Sequence, residues 1–187
     1  MNIKAQGLLN AAAWIRQTRG EAALQEVLER CPPAVRARHA EALPLEWHPA
    51  EEFETFLQAA ESALGGMHGE LAKELGAAGA RKNMGGFMRR IAFYIMRRDY
   101  ALSRVASMWR QFNDAGTMTI TELDEAGCVV EVEGHDPPGR LYCCTLTGWC
   151  EVLAERVGAQ EPRAHYERSV LRGDPVCAWR VRWNLEG

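Results

Sequence analysis

No stretch of this chain stays apolar for the roughly 18 residues that a membrane-spanning helix needs. Neither sign of charge dominates: 22 Lys and Arg stand against 25 Asp and Glu, a net charge of −3. No basic field argues for nucleic acid. GxSxG, HExxH and Walker-type loops are missing, as are CxxC pairs. No repeat recurs at 20–50 residues and no low-complexity tail is present. The N-terminal apolar stretch is short, Gln6 and Asn10 interrupt it, and Trp14 and Arg16 sit where a signal peptide would be cleaved. Catalysis leaves a cluster of acid, base and nucleophile, and none is visible in the pattern. These absences set the expectation of a cytoplasmic, non-enzymatic protein without a membrane span or a nucleic-acid partner.

What is present suits a globular protein. Of 187 residues, 47% are hydrophobic and 25% charged, as in ordinary soluble domains. The chain reads as a single domain, 1–187. Its helical N-terminal part spans 1–80, and a long helix with an α+β core spans 81–187. Six cysteines (31, 128, 143, 144, 150 and 177) read as buried free thiols, which behave as small hydrophobes.

The spacing predicts helices over most of the first 113 residues. Ile3, Leu8, Ala11, Ala12 and Ile15 form one apolar stripe, ended by Gly20. "EAALQEVLER" and "AVRARHAEAL" follow, each stopped by proline. The helix after Pro49 has three acids near its start, which suits a helix N-terminus. A weak helix covers about 67–77, and "GAAGARKNMGG" reads as a glycine-rich connection. The longest candidate spans 87–113, with Phe87, Ile91, Tyr94, Ile95, Met108, Trp109 and Phe112 recurring at helical spacing. It also carries Arg89, Arg90, Arg97, Arg98, Arg104 and Arg110.

The period then drops from 3.6 to 2. "TMTITEL", "DEAG" and "CVVEVEG" read as strand, turn and strand. A helix over "LYCCTLTGWCEVLAERVGA" follows, and a second hairpin turns at "RGDP". The expected fold class is α+β: N-terminal helices, then β-hairpin, helix and β-hairpin forming a four-stranded antiparallel sheet with the helix on one face. A tight turn at Gly173–Asp174 would oppose Val170 to Cys177, Arg168 to Trp179 and Tyr166 to Val181. Glu167 would then pair with Arg180, His165 would oppose Arg182, and Arg168 would lie over Trp179. Cys177, Trp179, Val181 and Trp183 should face the helix.

"GDPVCAWRVRW" at 173–183 and "CCTLTGWCEVLAERVG" at 143–158 resemble the ligand-binding superfamily of nitric-oxide signalling and Golgi transport. That group includes 4-vinyl-reductase-like domains, phenol-sensing domains, heme–nitric-oxide-binding domains and TRAPP subunits. An uncharacterised myxobacterial family of similar length is the nearest resemblance. It implies a sensory module that binds a small apolar or amphipathic molecule and signals to a protein partner. The alternative is a homodimeric adaptor without a ligand, docking through the arginine-rich helix 87–113. The expected pocket residues are Phe87, Ile91, Tyr94, Ile95, Trp109, Trp149 and Trp179. Phenol-sensing members bind zinc, and their ligand positions would include Cys143 or Cys144 and Cys177. The remaining two fall on Tyr166 and Ser169, which are not usual zinc ligands. Heme is disfavoured too, because "YERSVLR" has the wrong spacing for a Tyr-x-Ser-x-Arg signature and no histidine stands on the long helix. A lipid on Cys143, Cys144 or Cys150 is a further TRAPP-like option. The expectation is therefore no cofactor, with zinc, heme and bound lipid each disfavoured.

Overall fold

The computed structural model describes residues 1–84, 98–156 and 158–184, with backbone alone for 98–104. A short strand β1 (Asn2–Lys4) leads into helix α1 (Gln6–Arg19). Helices α2 (Glu21–Arg30) and α3 (Pro33–Glu41) follow. Strand β2 (Trp47–Pro49) pairs antiparallel with β1 and opens directly into α4 (Ala50–Leu64). This small sheet is too short to leave a period in the sequence, and it was not expected. Helix α5 (Glu70–Met84) runs through most of the segment read above as a connection. That expectation is corrected: "GAAGARKNM" is helical, for a packing reason given below.

Helix α6 (Arg98–Phe112) is the described part of the long helix expected over 87–113. Strands β3 (Thr117–Thr121) and β4 (Gly127–Glu133) form the first hairpin. Helix α7 (Arg140–Arg156) leads to β5 (Gln160–Arg168) and β6 (Cys177–Asn184). The four long strands are ordered β3-β4-β6-β5, all antiparallel. The fold class is α+β, as the change of period implied. Among the described residues no helix is long and apolar enough to cross a membrane.

The closing hairpin departs from the expected register by two residues. Tyr166 opposes Trp179, Ala164 opposes Val181, and His165, not Glu167, opposes Arg180. Arg163, not His165, opposes Arg182. The cause is a wider turn. Val170–Arg172 form one 3₁₀ turn, and Ser169 N–H donates to Asp174 Oδ2 at 2.6 Å. A shift of two keeps every side chain on its face, so Cys177, Trp179 and Val181 still point inward, at most 1% exposed. Glu167 lies at the irregularity between Tyr166 and Arg168, yet still accepts from Arg180 Nε at 2.5 Å. Arg168 does not cover Trp179; it pairs with Glu131, and the Tyr166 ring stacks on the indole at 4.8 Å.

Three layers result. Helices α1, α2 and α4 form the first, α5 and α7 the second, and the sheet the third. The second layer is held unusually close. A Cβ on Gly76 would stand 2.0 Å from the Thr145 carbonyl oxygen, and one on Gly148 2.0 Å from the Lys73 carbonyl oxygen. The two helices, which run in the same general direction, therefore touch backbone to backbone. Lys73 Nζ reinforces the contact by donating to Glu151 at 2.7 Å.

Helix α4 pins both helices of that layer. Glu54, buried, accepts the N–H groups of Leu141 at 3.2 Å and Tyr142 at 2.7 Å. These are among the first backbone donors of α7, which have no partner inside the helix. Two turns further along the same face, Glu61 accepts from Ala72 N–H at 3.1 Å and Gly69 N–H at 3.4 Å, at the start of α5. The acids near the start of α4 were expected to serve that helix's own dipole. Glu54 serves the dipole of another helix instead.

Candidate ligand cavity

The first and second layers do not close completely. A cavity of about 100 Å³ remains where α1, α4, α5, α6 and α7 meet β1 and β3. Its walls are apolar: Ile3 from β1, Phe53 from α4, Leu75 from α5, Met108 and Phe112 from α6, Met118 from β3, and Leu146 from α7. Gly79 and Ala80 keep the α5 wall thin, and a Cβ on Gly79 would meet nothing within 4 Å.

The cavity's polar groups form two sets. At one end Tyr142 Oη donates to Asn113 Oδ1 at 2.6 Å, and Asn113 Nδ2 donates to the Trp109 carbonyl at 3.1 Å. Burial holds the Tyr142 hydroxyl well above its ordinary pKa, so it stays a donor. Thr145 Oγ1 donates to the Tyr142 carbonyl at 2.6 Å. In the second set Asn83 Oδ1 accepts from Asn10 Nδ2 at 2.9 Å and, from outside the lining, from Gln6 Nε2 at 2.8 Å.

The expected pocket residues separate. Trp109 and Trp149 line this cavity. Trp179 lies in the layer between sheet and α7, where Nε1 donates to Thr147 Oγ1 at 3.1 Å. Phe87, Ile91, Tyr94 and Ile95 lie outside the described residues. The amides Gln6, Asn10, Asn83 and Asn113 were not anticipated. Asn10 interrupts the apolar stripe of α1, and that break was the one available signal.

A second cluster sits between α7 and the closing hairpin. Tyr166 Oη lies 2.9 Å from Cys177 Sγ and 2.8 Å from Ser169 Oγ. Cys143 lies beside Cys177, and both thiols are fully buried. The fold thus gathers the four positions that the zinc resemblance marked. Among the described residues, however, no group of three or more His, Cys, Asp and Glu is placed to hold a metal. His135 lies near enough to lower the Cys177 thiol, although neither ring nitrogen completes a hydrogen bond. Cys177 is the acidic member of the pair, chiefly through the neighbouring Cys143 thiol, while Cys177 and burial push Cys143 up.

Acidity without access gives no reactivity, because a thiolate must be reached by its electrophile. Burial also pushes Cys31 and Cys128 up to about 11 and raises Cys150 and Cys144. The folded protein at pH 8 should therefore release less than one fast equivalent of thionitrobenzoate from Ellman's reagent, with Cys144 the slow reporter. All six thiols should react in guanidinium. Two or more fast equivalents from folded protein would contradict the burial of this cluster.

The fold is shared with solved H-NOX proteins. No family model matches the chain, and no curated relative matches it. Solved structures do. An H-NOX protein from S. oneidensis in the Fe(II)NO state aligns over 97% of this chain and 99% of its own, with a TM-score of 0.69 and 11% identity. The Fe(II) unliganded H-NOX protein from K. algicida aligns over 98% and 97%, with a TM-score of 0.68 and 9% identity. A structure from work on porphyrin distortion and heme redox potential aligns over 96% and 99%, with a TM-score of 0.66 and 14% identity. At such identities the likeness is one of fold. It nevertheless corrects the expectation of no cofactor with heme disfavoured: the solved proteins that share this fold are heme proteins.

Proposed function

We propose that this protein is a non-enzymatic sensory domain. A small molecule occupies the cavity between the helical layers, and its occupancy is relayed to a protein partner. The observation that carries this is the cavity itself, apolar on most of its wall and polar at two defined points. Ligand pockets have that composition. Binding would shift the population between two packings of the layers. Six arginines between 89 and 110 support an acidic partner surface or a second copy of the chain as the receiver, in the cytoplasm.

Heme is the first molecule to test, because it is what the proteins of the same fold hold. The apolar walls suit a porphyrin face. The iron-binding side is different. None of the five histidines lines the cavity, and none occurs between 85 and 104. On the described wall the donor types that bind heme iron elsewhere are the thioethers Met108 and Met118 and the phenol of Tyr142. A histidine-ligated heme therefore does not fit these residues.

The test is protein produced with heme precursor supplied, read by native mass spectrometry and visible absorption. Retained mass or a Soret band is expected, and Gly79→Phe should abolish it, because the new ring enters the open space beside Gly79. The variant should keep its far-UV circular dichroism. Absence of any retained mass, with no spectral response to added hemin or small aromatics, would overturn the sensory assignment.

A further inference from the structure

His48 stands in β2 opposite Ile3 and is 7% exposed, yet its Nε2 has no hydrogen-bond partner among the described residues. Glu46 Oε2 stands 3.8 Å from that nitrogen, beyond hydrogen-bond reach. The same oxygen accepts the Leu43 N–H at 2.9 Å. We infer that these groups form a proton-operated latch: when His48 takes up a proton, the Glu46 carboxylate leaves the Leu43 N–H for His48 Nε2, and the turn 43–46 loses its side-chain tie. The latch goes beyond the sensory assignment and does not depend on what the cavity holds.

The charges around the ring decide which group answers the proton. Lys4 on β1, Arg38 on α3 and Glu52 on α4 share a gap of about 10 Å³ with His48. That gap has room for about one water, so an imidazolium there is not hydrated as in bulk solvent. Glu52 is committed to Arg38, at 2.9 Å to Nε and 3.4 Å to Nη2, and its departure would leave the guanidinium unanswered. Lys4 Nζ donates to the Leu45 carbonyl at 2.6 Å and stands 3.7 Å over the Trp47 ring. Glu46 is the carboxylate able to turn: its side chain is half exposed, and it holds a neutral N–H. An imidazolium adds a charge–charge attraction that the Leu43 amide does not offer.

The pH window follows from the same neighbours. Burial, and then the Arg38 guanidinium, hold the His48 pKa below its ordinary value, against the pull of Glu52 and Glu46. The unfolded chain has the ordinary value of about 6.5. His48 thus contributes stability that is whole above that pH and is drawn down as pH falls below it. The latch works in the same window. It restrains the stretch that carries Leu43 and Leu45, 64% and 71% exposed. The Pro44 and Glu46 carbonyls of that stretch accept the Gln6 and Ala5 N–H groups at the start of α1. Release of Leu43 therefore loosens the turn locally and leaves β2 in place.

The experiment is an NMR titration of the full chain from pH 7.5 to pH 5, following the His48 ring and the Leu43 backbone amide together. The Leu43 amide proton should move upfield as it loses its carboxylate acceptor, with the midpoint of His48 and below about 6.5. Glu46→Gln keeps an oxygen for the Leu43 N–H and removes the charge. It should lower the His48 midpoint by about half a unit or more and leave the Leu43 amide indifferent to pH in this range. His48→Gln should also abolish the Leu43 shift. The unaltered protein and Glu46→Gln decide the matter if His48→Gln does not fold. A His48 ring that titrates while the Leu43 amide stays still overturns the latch, as do two different midpoints. So does a His48 that takes up no proton before pH 5 or before the whole chain unfolds. An unchanged His48 midpoint in Glu46→Gln overturns it as well.

Discussion

Gly148→Ala should lower the stability of the fold by about 3 kcal/mol or more. Overpacked core positions cost roughly 1–3 kcal/mol when side chains can give way. Here the added Cβ would stand 2.0 Å from the Lys73 carbonyl oxygen and 2.9 Å from the Ala77 nitrogen, both of them backbone. Relief requires α5 and α7 to separate along their whole contact. Gly76→Ala should behave the same way, against the Thr145 carbonyl at 2.0 Å. Gly79→Ala is the matched control on the same helix. Its Cβ meets nothing, and alanine is favoured over glycine in a helix by up to ~1 kcal/mol. The control should therefore be neutral or stabilising. For a chain of this size ~3 kcal/mol corresponds to a fall of roughly 6–12 °C in Tm. Thermal unfolding of the three variants checks the ranking. Equal Tm values for Gly76→Ala and Gly79→Ala would refute the close helix contact.

Glu54→Ala is expected to be of comparable size, for an electrostatic reason. Hydrogen bonds to a charged group contribute about 1.5–3 kcal/mol, and an orphaned buried donor costs about 1–3 kcal/mol. Glu54 answers two N–H groups at the start of α7 and is 6% exposed. Water has little room to replace it. A loss of about 3 kcal/mol is expected for alanine, measured by urea unfolding. Glu54→Gln keeps one acceptor oxygen and the volume, so it should lose about half as much. Gly139 is part of the same joint, since a Cβ there would lie 2.3 Å from Glu54 Oε1. A Glu54→Ala protein within 1 kcal/mol of the parent would show that α7 is held by packing alone.

The two hairpins were legible because alternation with period 2 needs only local sequence, and both have turn chemistry between the strands. The inward face of Cys177, Trp179 and Val181 was legible for the same reason. The register was not, because the 3₁₀ turn at Val170–Arg172 depends on the Ser169–Asp174 hydrogen bonds and not on Gly173 alone. Periodicity also says which face is buried and not against which layer. Trp149 and Trp179 were therefore grouped together, although one lines the cavity and the other the sheet. Glycines 76 and 79 made α5 look like a connection. Their low helix propensity is outweighed by a contact with α7 that is distant in sequence. Glu54 was hidden because its partners are 87 and 88 residues away. The Cys143, Tyr166, Ser169 and Cys177 positions were marked by resemblance alone, and their convergence needed the folded hairpin.

The small sheet β1–β2 ties these features together. Ile3 and Lys4 form part of the cavity wall, and β1 pairs with the strand whose last residue, Pro49, immediately precedes α4. The Met1 carbonyl accepts the Ala50 N–H at 3.1 Å, and Asn2 Nδ2 donates to Asp114 Oδ2 at 2.8 Å beyond the end of α6. A guest large enough to displace Ile3 therefore pulls on a strut fastened to the root of α4. That helix grips the starts of α5 and α7 through Glu61 and Glu54. A nudge of one wall residue is in this way geared to two helices at once.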